Sequence, residues 1–146
     1  MFYLSDNTGL HGLEAAPDDI NNGTSYAWGC YANGKYTSVF GAQGTAVGTG
    51  SANTAAIVAA CSEANTAAKM ADAYVFNGFS DWFLPSRDEL KLLYAQKFVV
   101  GGFALYPYWS SSELGTILAW FQNFSNGLQD FNNKNSTYPV RVVRAF

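Results

Sequence analysis

The sequence predicts an α+β fold, with helices in the middle of the chain and strands at both ends. Short strand-type segments come first, at residues 2–4 and 11–16. Apolar residues at helical spacing follow over 55–61 and 67–76, and again after residue 86. Alternation of apolar and polar residues, which is typical of strands, returns after Gly101-Gly102. Because strands precede and follow the helices, we expect the two termini to share one sheet.

The composition is that of one folded domain over residues 1–146. Hydrophobic residues make up 49 % of the chain and aromatic residues 16 %, while charged residues make up only 13 %, against about 25 % in typical domains. This length and apolar content can bury a sizeable core. The net charge is −3. We therefore expect no nucleic-acid partner, because affinity for phosphates grows with the number of Lys and Arg residues.

The first fifty residues are rich in turns. Residues 2–4 and 11–16 are the predicted strands, and Trp28 is expected to anchor the loop-rich stretch 21–50 by burial. The N-terminus lacks the basic and apolar regions of a signal peptide. No apolar run approaches the ~18 residues of a membrane span, so we expect no direct membrane insertion.

Two short helices are predicted next. Asn53 or Thr54 can cap a helix over 55–61, and Thr66 can cap a second helix over 67–76. The residues between them, 62–65, are predicted to separate the two helices. The apolar residues of both helices recur at helical spacing, which indicates a face packed on the core.

A capping box predicts a further helix. Ser86 is followed three residues later by Glu89, and we expect the helix to run to about Ala95. Trp82 to Leu84, just before it, suit a buried strand. Asp88 and Glu89 could also be read as a catalytic carboxylate pair, but capping and the helix dipole explain them fully.

The last third of the chain mixes regular and irregular positions. A hairpin is predicted with its turn at Ser125-Asn126-Gly127, and a last strand begins at Val140. Residues without periodicity lie between the regular ones, and we expect them to contact a ligand. These candidate residues are Leu105, Tyr106, Leu114, Gly115, Thr116, Ile117, Leu118, Phe121, Ser125, Leu128, Asp130, Phe131, Ser136 and Thr137.

The apolar candidate residues would form an interaction patch if they were exposed together. Leu114, Ile117, Leu118, Phe121, Leu128 and Phe131 are these residues. The alternative is that several of them belong to the core, and this alternative is strongest for Phe121 and Phe131. Five asparagines are scattered among the candidates: Asn123, Asn126, Asn132, Asn133 and Asn135.

Motifs spread over nearly the whole chain carry a family resemblance. They are GLHGLEAAPDD, NGFSDWFLPSRDELKLLY, YWSSSE, AWFQNF and VRVVRAF. With these motifs the chain resembles the C-terminal domain of a bacterial collagen-like adhesin, a family whose members and close relatives serve as variable proteins of diversity-generating retroelements. The resemblance implies a C-type-lectin-like fold with two or three helices, small antiparallel sheets and irregular loops that present a ligand surface.

In such variable proteins, error-prone reverse transcription randomises codons at template adenines, so Asn codons scatter over many residue types. The twelve candidates from Leu114 to Thr137 are reachable in this way, whereas the interleaved Trp109, Trp120, Gln122 and Lys134 are not. The resemblance therefore implies a variable region over about 105–137. It also implies a non-catalytic protein that binds varied protein or cell-surface targets, displayed on a virion or a cell surface; the oligomeric state stays open.

The adhesin branch of the family implies an alternative, a domain of fixed specificity for sulfated glycosaminoglycans or other surface glycans. Such ligands need a basic surface, and only Lys134, Arg141 and Arg144 are basic in the last third of the chain. The charge balance therefore disfavours this alternative.

Catalysis, metals and cofactors are not expected. His11 is the only histidine, so no nucleophile has an evident histidine partner. Cys30 and Cys61 lie outside the paired-cysteine copper motif of the C-type-lectin-like oxidases. They either form a disulfide or remain buried thiols, and thiols are at least as consistent with the sequence. The Glu-Pro-Asn and Trp-Asn-Asp triplets of calcium-dependent lectins do not occur.

Overall fold

The computed structural model describes residues 1–146. The eight strands are β1 (Tyr3–Leu4), β2 (Gly12–Ala15), β3 (Tyr26–Ala27), β4 (Pro107–Glu113), β5 (Leu118–Asn123), β6 (Gln129–Asn133), β7 (Thr137–Tyr138) and β8 (Val143–Ala145). The four helices are α1 (Gly50–Ala60), α2 (Ala67–Asp72), α3 (Arg87–Ala95) and α4 (Lys97–Val100). The α+β prediction is therefore confirmed, with one helical turn, α4, beyond the two or three helices expected.

The strands form three small antiparallel sheets. Their orders are β1-β2-β8, β3-β7 and β4-β5-β6. In the first sheet Leu13 is paired with both Tyr3 and Ala145, so β2 lies between the two ends of the chain. The prediction that the termini share one sheet is confirmed, and this arrangement is consistent with a C-type-lectin-like fold.

Two of the three predicted helix caps are present in the structure. The Thr66 hydroxyl accepts a hydrogen bond from the Lys69 amide at the start of α2, and Ser86 and Glu89 form the predicted capping box of α3. The expected start of α1 is wrong, since α1 begins at Gly50. Asn53 and Thr54 lie inside α1 and are buried, with Asn53 Nδ2 donating to the Gly44 carbonyl at 2.7 Å.

Two strand predictions are corrected. Residues 82–84 are buried as expected but form only an isolated bridge, between Phe83 and Val143, and not a strand. The last strand begins at Val143 and not at Val140. Residues 140–142 are instead held by single backbone bonds, from Ala16 N to Val142 O and from Ile20 N to Val140 O, both 3.0 Å.

Two tryptophans anchor the larger of two hydrophobic clusters. Trp28 and Trp109 are fully buried. Trp28 Nε1 donates to the Ser110 carbonyl and Trp109 Nε1 donates to the Tyr26 carbonyl, each at 2.9 Å. Because each indole also has its polar atom satisfied, burial of the ring brings its full hydrophobic stabilisation. Trp28 therefore anchors its loop as predicted.

The two cysteines form a disulfide. Cys30 Sγ and Cys61 Sγ are 1.99 Å apart, and the bond ties the loop after β3 to the C-terminal end of α1. This result decides between the two possibilities that the sequence left open. None of the helices combines the length and apolar character needed to cross a membrane.

Candidate ligand-binding surface

The candidate surface is built on the sheet β4-β5-β6. Phe121 of β5 is paired with Asp130 of β6, and Trp120 is paired with Phe131. Because successive side chains point to opposite faces of a sheet, Phe121 and Asp130 lie on one face and Trp120 and Phe131 on the other. β6 is an edge strand of this sheet.

None of the fourteen candidate residues is buried. Ten are exposed: Leu105, Tyr106, Leu114, Thr116, Ile117, Ser125, Leu128, Asp130, Phe131 and Thr137. Four are half-buried: Gly115, Leu118, Phe121 and Ser136. Binding of a ligand by these residues stays a prediction, but their side chains are all accessible to one.

Many of the residues interleaved with the candidates are buried. Fully buried positions include Trp109, Ser110, Ser111, Ser112, Ala119, Gln122, Phe124 and Lys134. The other interleaved residues are accessible: Pro107, Trp120, Asn123, Gly127, Gln129 and Asn132 are half-buried, and Asn126, Asn133 and Asn135 are exposed. All candidates are thus accessible, while the buried positions of this region all lie among the other residues.

The candidates lie at both ends of the sheet. The β4–β5 loop, residues 114–117, adjoins the loop after β6 through a bond from Lys134 N to Ile117 O at 2.9 Å. At the other end, Tyr106 O accepts from Phe124 N and Leu128 O accepts from Asn123 N. The length of β5 between these ends is about 17 Å.

The expected apolar patch is therefore divided. Leu114 and Leu128 lie at opposite ends of β5, and Phe121 and Phe131 lie on opposite faces of the sheet. Phe121 packs partly on the larger hydrophobic cluster, with its ring centroid 5.3 Å from that of Tyr138. Phe131 is 45 % exposed and contacts the Trp120 ring edge-on at 5.8 Å. Phe131 is therefore a surface residue, whereas Phe121 lies half-buried at the edge of the core.

Two glycines of this region have opposite surroundings. Gly127, in the β5–β6 turn, has a φ of +80°, and a Cβ there would lie 2.8 Å from the Tyr94 ring. Gly115 has no positive φ and no atom within 4 Å of where its Cβ would be. Only Gly115 belongs to the candidate set, and only Gly115 can be replaced without strain or a clash.

A buried ion pair joins the end of β4 to the residue that follows β6. Lys134 Nζ lies 2.7 Å from Glu113 Oε2, and both side chains are fully buried. Glu113 also accepts hydrogen bonds from Ser38 Oγ and Val39 N, and Lys134 donates to the Thr37 carbonyl. Burial lowers the pKa of Lys134, although the neighbouring carboxylate opposes this effect.

Sequence reasoning missed this pair. A signal was present, because Lys134 is a lone lysine within a run of asparagines. Its partner could not be identified from the sequence, since Glu113 is 21 residues away and lies in another strand.

Helix α3 supports the opposite end of the hairpin. The Arg87 guanidinium lies 5.1 Å from the centre of the Trp120 ring, and the Arg87 carbonyl accepts from Gln129 Nε2 at 2.8 Å. Tyr94 of the same helix meets Phe124 edge-on at 5.4 Å and also closes over Gly127. The sheet that carries the candidates is therefore fixed on a rigid element.

The three basic residues of the last third are all paired. Beside the Lys134 pair, Arg141 Nε lies 2.7 Å from Asp19 Oδ1. Arg144 lies 2.7 Å from both Asp81 and Glu14. None of the three is a free surface cation.

The titratable groups form no cluster that could hold a metal ion. No three His, Cys, Asp or Glu side chains come together as a metal-binding group. His11 Nδ1 is 2.7 Å from Asp6 Oδ2, and hydrogen bonds from Thr8 and His11 lower the pKa of Asp6 to about 2. Glu89 is fully buried, and burial raises its pKa to about 7. Glu89 Oε1 accepts from the Gly50 amide at the start of α1, so it is a capping group there as well as in α3.

The chain matches a known protein family. The family model of the Lcl C-terminal domain matches residues 19–144. No curated protein matches the chain.

Proposed function

This chain belongs to the Lcl C-terminal domain family, and on that premise we propose that it is a non-catalytic binding protein whose surface over residues 105–137 is diversified by a retroelement. Its targets are varied proteins or cell-surface ligands, and its display platform is a virion or a cell surface. The family itself is one of C-type-lectin-like, adhesin-type binding domains. Diversification by a retroelement and the choice of target go beyond this family description and belong to our proposal.

One observation carries this proposal: all fourteen candidate residues are accessible, and the ten buried residues of the region 105–137 all lie outside the candidate set. Substitutions at exposed positions usually change stability by about 0.5 kcal/mol or less. Large-to-small changes in a core cost about 2–5 kcal/mol. Random substitution confined to the candidates would therefore leave the fold intact while it changed the contact surface.

The chemistry of the candidates favours a protein target. Most are apolar or hydroxyl-bearing side chains, and Asp130 is the only charged one. Interfaces between proteins rely on a few aromatic and aliphatic residues surrounded by polar ones, and they are depleted of charge at their centre. A sulfated glycosaminoglycan requires free cations, and Lys134, Arg141 and Arg144 are all neutralised in ion pairs.

A library experiment tests the proposal directly. The fourteen candidate codons would be randomised together, and the full chain would be displayed on phage and selected against a panel of unrelated proteins. A control library would randomise an equal number of exposed positions outside residues 105–137, including Ser51, Ala55 and Ala59 of α1. We expect folded binders to several targets from the first library and few from the control. Equal yields from the two libraries would contradict a specialised surface.

Sequencing of the gene in its natural population tests the diversification separately. We expect substitutions at Asn-type codons between residues 105 and 137, beside an adenine-rich repeat and a reverse transcriptase gene. A 3′ end without variation and without such a repeat would leave a fixed-specificity adhesin as the better account.

A further inference from the structure

A cavity of about 620 Å³ lies beside the candidate surface. Its wall includes Asp18, Asn22 and Ser25 from the segment after β2, and Phe103 and Tyr106 from the segment before β4. Sites for small ligands or single side chains usually measure about 300–1,000 Å³ and combine a few polar groups with aromatic surface. The cavity has this size and includes two aromatic residues, Phe103 and Tyr106, but its lining is more polar than that of most such sites.

The base of the cavity is held rigidly. Asp19 accepts from Arg141 Nε at 2.7 Å and from the Tyr108 hydroxyl at 2.6 Å. Arg141 is buried, and it also donates to the carbonyls of Gly101 and Gly102, which places the two walls at a fixed separation. A site whose walls are already in position loses little conformational entropy on binding.

Asp18 is the free charge of the cavity. Its side chain is exposed and belongs to none of the ion pairs of the chain. No Lys, Arg or His lines the cavity, and the nearby Arg141 is already neutralised by Asp19. The two aspartates and one arginine leave a net charge of −1 at this place, so the cavity attracts a cation.

Tyr106 supplies an aromatic surface to the wall of this cavity. Its side chain is 64 % exposed and lines the same cavity as Asp18. A guanidinium group is planar, stacks on aromatic rings and pairs with carboxylates through several N–H donors. An ammonium group lacks the planar surface, so the pairing of ring and carboxylate suits guanidinium better.

We propose that this cavity binds the guanidinium group of an arginine on the target protein. That the arginine belongs to a target protein rests on the proposed function, whereas the binding of a guanidinium group by the cavity does not. Asp18 lies outside the region 105–137, whereas Tyr106 is a candidate for diversification. The preference for a cation is therefore constant among variants, while the strength of binding changes with the residue at position 106.

An NMR titration of the full chain tests this site with a defined probe. N-acetyl-arginine amide is added at millimolar concentrations, and N-acetyl-citrulline amide, its uncharged counterpart, serves as the matched control. We expect the arginine probe to shift the amide signals of Ser25, Gly102 and Ala104, and the citrulline probe to leave them in place. Asp18→Asn should weaken binding by about threefold to fivefold, as for a partly exposed ion pair.

Two further variants complete the test. Asp72→Asn removes an exposed carboxylate outside both the cavity and the candidate residues, and it should leave binding unchanged, whereas Tyr106→Ala should weaken it. Equal shifts with both probes, unchanged binding by Asp18→Asn, or no shift at all would overturn the proposal. The amide spectrum of each variant reports whether it is folded. If the library yields binders but the arginine probe does not bind, only the proposed arginine site is refuted. If the arginine probe binds but the library yields no binders, only the proposed diversified function is refuted.

Discussion

Replacing Lys134 with methionine should destabilise the protein strongly, although Lys134 lies between exposed candidate residues in the sequence. In the folded chain its ammonium group is 2.7 Å from Glu113 Oε2, and neither side chain is exposed. Lys134→Met leaves the Glu113 carboxylate buried without its counter-charge. Breaking a buried pair in this way costs about 3–5 kcal/mol, out of a total stability of about 5–15 kcal/mol for a typical domain.

The loss of stability in Lys134→Met should fall toward the lower part of that range, because Glu113 keeps its other contacts. Its oxygens keep the hydrogen bonds from Ser38 Oγ at 2.7 Å and Val39 N at 2.6 Å, which partly compensate the charge. Glu113→Gln in the Lys134→Met background removes the charge itself and should recover part of the loss. This recovery is expected because the neutral amide leaves no uncompensated charge: its oxygen can accept from Val39 N while its NH2 group donates to Ser38 Oγ.

Urea denaturation of the wild type and the variants measures these differences. Lys91→Met is the matched control, because Lys91 is exposed on α3 and its replacement should change the free energy of unfolding by no more than about 0.5 kcal/mol. A loss below ~1 kcal/mol for Lys134→Met, or no recovery in the double variant, would refute the reasoning. The loop over residues 114–117 would then need another support.

The remaining predictions concern the disulfide, a turn glycine and a buried carboxyl group. Replacing Cys30 and Cys61 with alanine should cost about 3–4 kcal/mol by urea denaturation, since the bond closes a separation of 31 residues; an unchanged midpoint would contradict this. Gly127→Ala should lower the thermal midpoint by forcing a side chain into a positive φ against Tyr94, whereas Gly115→Ala, the matched control, should leave it unchanged. Equal midpoints for the two variants would count against the turn geometry. The pKa of Glu89 is raised from 4.5 to about 7, so the folded state holds this proton more tightly than the unfolded state. The resulting stabilisation is complete below pH ~4.5 and is lost as the pH rises to about 7, by roughly 3 kcal/mol. Glu89→Gln should remove this slope, and an identical slope in the variant would exclude Glu89 as its cause.

The alternating part of the fold was predictable because a strand has a period of two residues. From residue 121 to residue 124, the buried Gln122 and Phe124 alternate with the half-buried Phe121 and Asn123. The hairpin turn was also readable, since Asn-Gly dipeptides favour it. The local signals of the Thr66 cap and the Ser86 capping box likewise match the structure. Each of these features depends on residues that are close together in the sequence.

The features that the sequence did not reveal depend on tertiary contacts. Asn53 and Thr54 have the side chains of helix caps, but Thr54 Oγ1 instead accepts from the Leu84 amide, 30 residues away. Cys30 adopts a φ of +56° in a loop, so its approach to Cys61 follows from the path of that loop and not from spacing. The division of the candidates between two ends of a sheet likewise requires the register of β4, β5 and β6.

Backbone hydrogen bonds fix much of the shape of the candidate surface. Substitution of its side chains would therefore leave that shape unchanged. Leu118 O accepts from both Leu114 N and Gly115 N, and Ile117 O accepts from Lys134 N. These bonds persist whatever side chain stands at residues 114–118, because every residue except proline provides the same donor and acceptor. Lys134, whose codon is not reachable by adenine mutagenesis of Asn codons, supplies the buried charge below. A surface with a fixed backbone and exchangeable side chains loses little entropy on binding, so new affinity can arise from side-chain identity alone.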